Sequence, residues 1–242
     1  MIMVITKATS TISTTYKMKR AIKYIAIHYT AGTTSKAGTA LNLAKWFANG
    51  GNPANPASSD FIVDDKYIVQ YNGDISNRYT WGVGGGKYTP TTSLAATLYG
   101  KATNSNVINI EVCSSKTNSR SLNANDTDWY FTDATLNNTV ELVQYLMKEY
   151  NIDIDHVITH HMVTGKPCPA MWSHNEKELQ GWYDFKNRVA GKTATTPTQT
   201  TPTTGKIYRV QVGAFRNKAN AEAQLKQVQK YFPTAFIKTD DK

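Results

Sequence analysis

Ten consecutive residues, His160-His161-Met162-Val163-Thr164-Gly165-Lys166-Pro167-Cys168-Pro169, follow directly on the apolar run Val157-Ile158-Thr159. The apolar run reads as the end of a buried strand, so the sheet this chain forms must deliver two imidazoles, an amine and a thiol to one strand end. Gly165 and the two prolines bend the chain back toward that end. Imidazole and thiolate are the preferred ligands of zinc. A catalytic zinc keeps three protein ligands and an open position, which calls for a further donor from elsewhere. His28 ends a second apolar run, Ile25-Ala26-Ile27, and is the candidate. The competing reading is structural, because a histidine at a strand end is commonly a hydrogen-bonded rim residue and a lone cysteine a small buried hydrophobe. The co-occurrence of two strand-end histidines with a cysteine favours the metal.

At 242 residues the chain can bury a sizeable core. Val107-Ile108-Asn109-Ile110-Glu111-Val112-Cys113 reads as a strand buried on both faces with an acid in its middle. Alternation places Asn109, Glu111 and Cys113 on one side, so Glu111 points into the pocket that side faces, where desolvation raises a carboxyl pKa toward working pH. Ile22–Tyr29 reads as a central strand. A helix is expected over 39–48, and a hairpin over 61–63 and 67–71. The Gly-rich run Trp81–Gly86 is a loop, since it lacks the Gly-Lys-Ser/Thr ending of a phosphate loop. Thr132 or Asp133 caps a long helix to Tyr150, with Leu136, Val140, Val143, Leu146 and Met147 inward. Residues 155–160 form the strand that delivers the histidine-rich segment. A last helix from about His174 to Val189 buries Leu179, Trp182, Phe185 and Val189.

The Thr/Pro stretch at 193–204 contains no residue that builds a core and reads as a linker. Beyond it, 207–212 alternates as a strand, 217–231 as a helix with Ala221, Leu225 and Val228 inward, and 234–238 as a second strand. The expected organisation is a domain over 1–190, a linker over 191–205 and a small α+β tail over 206–242. Cys113 and Cys168 are too few for a disulfide framework, so a reduced fold is expected.

The formal net charge of +9 implies attraction to polyanions. The basic residues are scattered lysines without a recognition helix or RNA-binding motif, which argues against nucleic acid. Residues 1–20 lack the apolar core of about 7 to 15 residues of a signal peptide, and no stretch approaches the roughly 20 apolar residues of a membrane helix. The expectation is a protein made without its own export signal and without membrane insertion. It reaches its site of action after release or export by another protein.

With His28, Glu111, His160, Lys166 and Cys168 in place, the chain resembles the zinc N-acetylmuramoyl-L-alanine amidases of the peptidoglycan-recognition-protein superfamily, over residues 20–175. The resemblance implies a central mixed sheet flanked by helices, in the α/β class. In that family a strand ending I-H-x-T gives the first ligand, an I-E strand the catalytic acid, and H-x-x-[VW]-T-G-K-x-C-P the second ligand, a lysine and the third ligand. The resemblance thereby selects His160 over His161, which falls where the family has an aromatic. It implies Zn2+ as cofactor and bacterial peptidoglycan, glycan strand and stem peptide, as partner. It also makes Ser59 and Trp81 substrate-binding candidates, although Ser59 stands where some members have a tyrosine, and Trp81-Gly82 where the family has a Trp-His pair. The tail resembles half of a sporulation-related, glycan-binding repeat, and its uncovered apolar residues leave three expectations: a loosely ordered tail, docking on the amidase, or a homodimer through the C-terminus. Two rivals compete with hydrolysis by zinc. One is a non-catalytic peptidoglycan-recognition module. The other is a cysteine hydrolase with Cys168 as nucleophile and His28 or His160 as base.

Overall fold

The computed structural model describes residues 3–191, 215, 217–229 and 237. The chain divides into two units, Met1–Ala194 and Thr195–Lys242, and the division falls within the expected linker. In the first unit the elements run β1 (Ile5–Lys7), β2 (Thr14–Tyr16), β3 (Tyr24–Tyr29), α1 (Thr39–Ala48), β4 (Phe61–Val63), β5 (Ile68–Gln70), β6 (Arg78–Thr80), β7 (Val107–Val112), β8 (Ser115–Lys116) and β9 (Trp129–Tyr130). They continue through α2 (Asp133–Glu149), β10 (Val157–Thr159), α3 (His160–Thr164) and α4 (Leu179–Val189).

The main sheet has the order β1-β5-β4-β7-β3-β10. Strands β4, β7, β3 and β10 are mutually parallel, β5 returns antiparallel to β4, and β1 lies parallel to β5 at the edge. The sheet is therefore mixed and flanked by helices, as the resemblance implies. Period-two alternation separates its faces. Ile25, Ile27, Ile108, Ile110, Val112 and Val157 pack with Leu142, Leu146, Trp182 and Phe185 of α2 and α4. On the other face Ala40, Ala44 and Phe47 of α1 cover Ile62 and Val69. Farther along that face Val83, Ala102 and Val163 cover Ala26, Val107 and Ile158.

Several boundaries differ from the sequence reading. Residues 1–20 contribute β1 to the main sheet and β2 to a ribbon with β6. Their short, polar-rich strands carry too little periodicity to announce themselves. Residues 155–160 are not one strand: a 3-10 turn (Ile154–His156) precedes β10, and His160 already starts α3. The switch has a local cause, since the Thr159 hydroxyl accepts the Met162 N–H as an N-cap. Gly165, at φ 82°, ends the helix in the left-handed conformation that glycine adopts without a Cβ penalty. The last helix begins at Leu179 rather than near His174, while burying Leu179, Trp182, Phe185 and Val189. Helix α2 is capped by Thr132 and buries Thr135, Thr139, Leu142, Val143 and Leu146, so the expected stripe is displaced toward threonines that helical periodicity of apolar residues ignores.

In the second unit, α5 spans Lys218–Gln229. Ala221, Leu225 and Val228, expected inward, are half-buried. The strands expected at 207–212 and 234–238 and the linker at 193–204 lie outside the described residues, apart from Ile237.

Candidate metal centre

Strand register builds the site. His28 pairs with Glu111 across β3 and β7, and Ile27 pairs with Thr159 across β3 and β10, so His160 emerges at the strand end beside His28. These are the carboxyl ends of parallel strands, where open α/β sheets collect functional groups. The imidazole rings of His28 and His160 stand 5.0 Å apart at 65°. Cys168 is brought back onto them by the turn after α3, in which the Cys168 carbonyl accepts the His161 N–H at 2.9 Å. Its Sγ lies 3.7 Å from His28 Nδ1. One ligand atom from each of His28, His160 and Cys168 falls within 4.8 Å of the others, and all three residues are buried.

The donor set fits a tetrahedral cation. Zinc bonds of about 2.0–2.1 Å to nitrogen and 2.3 Å to sulfur would separate ligand atoms by roughly 3.3–3.6 Å. The 3.7 Å between Sγ and Nδ1 is close to that spacing. His160 Nε2 is buried with no hydrogen-bond partner, while the same ring is hydrogen-bonded to the Gly84 backbone. Burial holds both imidazoles neutral, His28 down to about 4 and His160 well below the ordinary histidine range. It also pushes the Cys168 thiol up to about 12, with Glu111 adding to the rise. Two neutral imidazoles and a thiol that ionises only beside positive charge suit metal ligation. They do not suit an imidazolium–thiolate nucleophile pair.

Glu111 points to the same side. Its Oε2 is buried and has no hydrogen-bond partner among the described residues. Burial pushes its carboxyl up to about 8, and the positive charge of Lys166 pulls it back in part. Lys166 is exposed, and its charge acts on His28, His160, Cys168 and Glu111 together. His161 is turned away from the donors: its Nδ1 lies 3.0 Å from the Lys166 carbonyl and its Nε2 2.8 Å from Thr92 Oγ1. It ties down the loop that carries Lys166 and Cys168.

The two substrate-binding candidates fare differently. Ser59 is fully buried, and its hydroxyl donates to the carbonyls of Phe61 and Asn109, at 2.8 and 2.7 Å. It offers nothing to a substrate, because a serine in this segment lacks the reach of a tyrosine and closes on the backbone. Trp81 is half-buried and donates Nε1–H to Thr15 Oγ1 at 2.9 Å, which fixes its ring against β2. Sequence reasoning gave no role to Arg20 or Asp60, and placed Asn109 on the Glu111 side of its strand without assigning it one. Arg20 and Asp60 form a fully buried pair at 3.8 Å. Arg20 also donates to the carbonyls of Ile75 and Val107, and Asp60 accepts from Asn72 and Thr80. Asn109 accepts at Oδ1 from His28 Nε2 at 3.1 Å. The polar break of Asn109 inside an apolar strand was the available signal.

A mixed α/β sheet with a His-His-Cys donor set at its strand ends defines a class of candidate metallohydrolases. The profile of the N-acetylmuramoyl-L-alanine amidase family, Amidase_2, matches residues 18–171, and the chain belongs to this family. A second profile, the SPOR domain, matches residues 177–241. The amidase CwlH of Bacillus subtilis (strain 168) is 31% identical over 179 residues, covering 74% of this chain and 57% of its own length. BlyA, an amidase of the same organism, is 27% identical over 76% of this chain and 47% of its own length. The chain thus spans about half the length of these curated relatives. The PlyG catalytic domain superposes with a TM-score of 0.54 at 26% identity, covering 80% of this chain and 98% of that one. The catalytic domain of XlyA gives 0.52 at 25%, covering 77% and 99%.

Proposed function

We propose that this chain is a zinc-dependent N-acetylmuramoyl-L-alanine amidase that hydrolyses the amide between N-acetylmuramic acid and L-alanine in bacterial peptidoglycan. The carrying observation is the convergence of His28, His160 and Cys168 on one point beside an unpartnered Glu111 carboxyl. Family membership and the amidase relatives support the reaction class.

His28, His160 and Cys168 would hold the ion. Zinc supplies Lewis acidity toward the scissile carbonyl and toward water. Glu111 Oε2, without a hydrogen-bond partner among the described residues, takes the proton of the attacking water and returns it to the departing L-alanine nitrogen. Burial raises its carboxyl above the usual carboxylate range, which suits a group that must both take and return a proton. The Lys166 ammonium, on the loop between His160 and Cys168, offers a positive charge to the carbonyl oxygen as negative charge develops there. His161 orients that loop through the Lys166 carbonyl. The SPOR match supports a glycan-binding role for the tail. A site of action at the bacterial cell wall follows from that substrate.

The deciding experiment incubates purified protein with peptidoglycan, with and without chelator, and measures new amino termini against new reducing sugars. Chelator-sensitive release of amino termini without reducing sugars is expected. Binding without either product would instead identify a recognition module, and chelator-resistant release a cysteine hydrolase.

A further inference from the structure

Asn109 engages both backbone groups and both ends of its side-chain amide in polar contacts within the first unit, every one of them buried. Its backbone N–H donates to Asp60 Oδ2 at 2.7 Å, and its carbonyl accepts from Asp60 N at 3.0 Å and Ser59 Oγ at 2.7 Å. Its side-chain Nδ2 donates to Thr80 Oγ1 at 3.0 Å, and Oδ1 lies 3.1 Å from His28 Nε2. Asn109, Thr80 and Asp60 are all fully buried.

The direction of each hydrogen bond follows from its far end. The Asp60 carboxylate, paired with Arg20, takes the Thr80 hydroxyl proton at 3.0 Å. Thr80 Oγ1 then has only lone pairs to offer Asn109, so the Asn109 NH2 must face Thr80 and its carbonyl oxygen must face His28. An amide oxygen can only accept, so His28 carries its proton on Nε2 and presents the bare Nδ1 lone pair toward Cys168.

We infer that Asn109 is a positioning residue that locks His28 into the tautomer protonated at Nε2, with the Nδ1 lone pair bare, through a relay from Asp60 by way of Thr80. Gly82 is part of the device: a Cβ added there would lie 2.4 Å from both Cγ and Oδ1 of Asn109. The glycine at the second position of the Trp81-Gly82 pair therefore leaves room for the amide that orients the ligand. The inference rests on the zinc reading only for its consequence, since the tautomer is a property of the metal-free chain. Partners that orient a metal-ligating histidine are typically worth 10- to 100-fold in metal affinity.

The test begins with the full-length metal-free protein, 15N-labelled at histidine, in which long-range proton–nitrogen correlations report the tautomer of each ring. His28 should show a protonated Nε2 and a bare Nδ1; a protonated Nδ1 overturns the inference directly, with no variant needed. In Asn109→Ala the ring should become a tautomer mixture, and zinc affinity measured by chelator competition should fall 10- to 100-fold. Gly82→Ala should show the same loss by displacing the amide. The double variant should bind no more weakly than Asn109→Ala alone, because the clash is then gone. Additive losses, or unchanged affinity in Asn109→Ala, would overturn the proposal, as would zinc loss with the tautomer intact. A wild type that binds no zinc would remove the zinc reading while leaving the tautomer measurement to decide the role of Asn109.

Discussion

At the scale of single residues, Glu111 is the proposed proton carrier, and its neighbours decide what a substitution does. Glu111→Gln is nearly isosteric and leaves His28, His160 and Cys168 untouched, so it should retain one equivalent of zinc by metal analysis. Its hydrolysis of muropeptides should fall roughly 10² to 10⁴-fold, the usual contribution of general acid–base catalysis. Near-normal turnover would assign the proton to another group. The same variant has a second readout in the metal-free protein. The Glu111 carboxyl is raised from an ordinary 4.5 to about 8 by burial, so between those values the folded chain keeps a proton that the unfolded chain has released. Its contribution to stability is present below pH 4.5 and is lost as pH rises toward 8. Glutamine cannot ionise, so the variant should gain melting temperature relative to wild type as pH goes from 5 to 8. His28 has the opposite sign. Its folded value near 4 lies below the ordinary 6.5, so the unfolded chain takes up a proton first, and stability is lost as pH falls through that interval. His28→Ala should abolish zinc binding outright, and full occupancy in that variant would dismiss the donor set.

At the scale of elements, α4 and the segment before it give a case in which two effects compete. Gly181 lies inside α4, where alanine would be favoured by about 1 kcal/mol on helix propensity. A Cβ there meets the Trp172 indole at 2.6 Å, and that ring is wedged among Phe131, Trp182 and Phe185. Overpacking of a core costs about 1–3 kcal/mol, so packing should win and Gly181→Ala should lower the unfolding free energy in a urea titration. A gain would show that Trp172 has room to move. His161→Ala should keep stoichiometric zinc and lose stability by about 1–3 kcal/mol, because it leaves the Lys166 carbonyl and Thr92 without their shared partner. Loss of zinc in that variant would reverse the assignment within the histidine pair. The same elements mark what the sequence made legible. Strands β3, β7 and β10, helix α1 and the buried face of α4 follow from apolar periodicity, whereas the choice of His160 over His161 and its grouping with His28 and Glu111 comes from the family resemblance. What periodicity could not carry was polar: β1 and β2, the α3 turn that begins on His160, and the threonine-lined face of α2. The Arg20–Asp60–Thr80–Asn109 network was equally hidden, since its members lie far apart in sequence and no spacing rule joins a buried arginine at residue 20 to an asparagine at 109.

At the scale of the whole molecule, the SPOR match begins at residue 177, ahead of the Thr/Pro stretch and across α4. The structure commits α4 to the first unit, where Leu179, Trp182, Phe185 and Val189 are buried and the Val189 carbonyl accepts from Gln144 Nε2 at 2.9 Å. Burial of four such side chains is worth roughly 1.5–3 kcal/mol each, or about 6–12 kcal/mol together. That is comparable to the total stability of about 5–15 kcal/mol of an ordinary domain. A chain ending at residue 176 should therefore fail to melt cooperatively, whereas one ending at residue 192 should keep the melting temperature of the first unit and the proposed activity on soluble muropeptides. A cooperative 176-residue fragment would show that α4 belongs to the tail after all. Wall binding should follow the other partition. If the SPOR-matched tail grips glycan, the full chain should pellet with insoluble peptidoglycan at salt concentrations that release the 192-residue form, since the scattered positive charge that attracts either form to an acidic wall is screened and a built glycan contact is screened much less. Equal retention of the two at every salt concentration would leave the tail without a role as an anchor. Sedimentation of the same pair separates avidity from affinity. A full chain that dimerises across micromolar concentrations while the 192-residue form stays monomeric would let two tails act at high effective concentration on one wall fragment. Two monomers with unequal retention would place all of the added binding in a single tail.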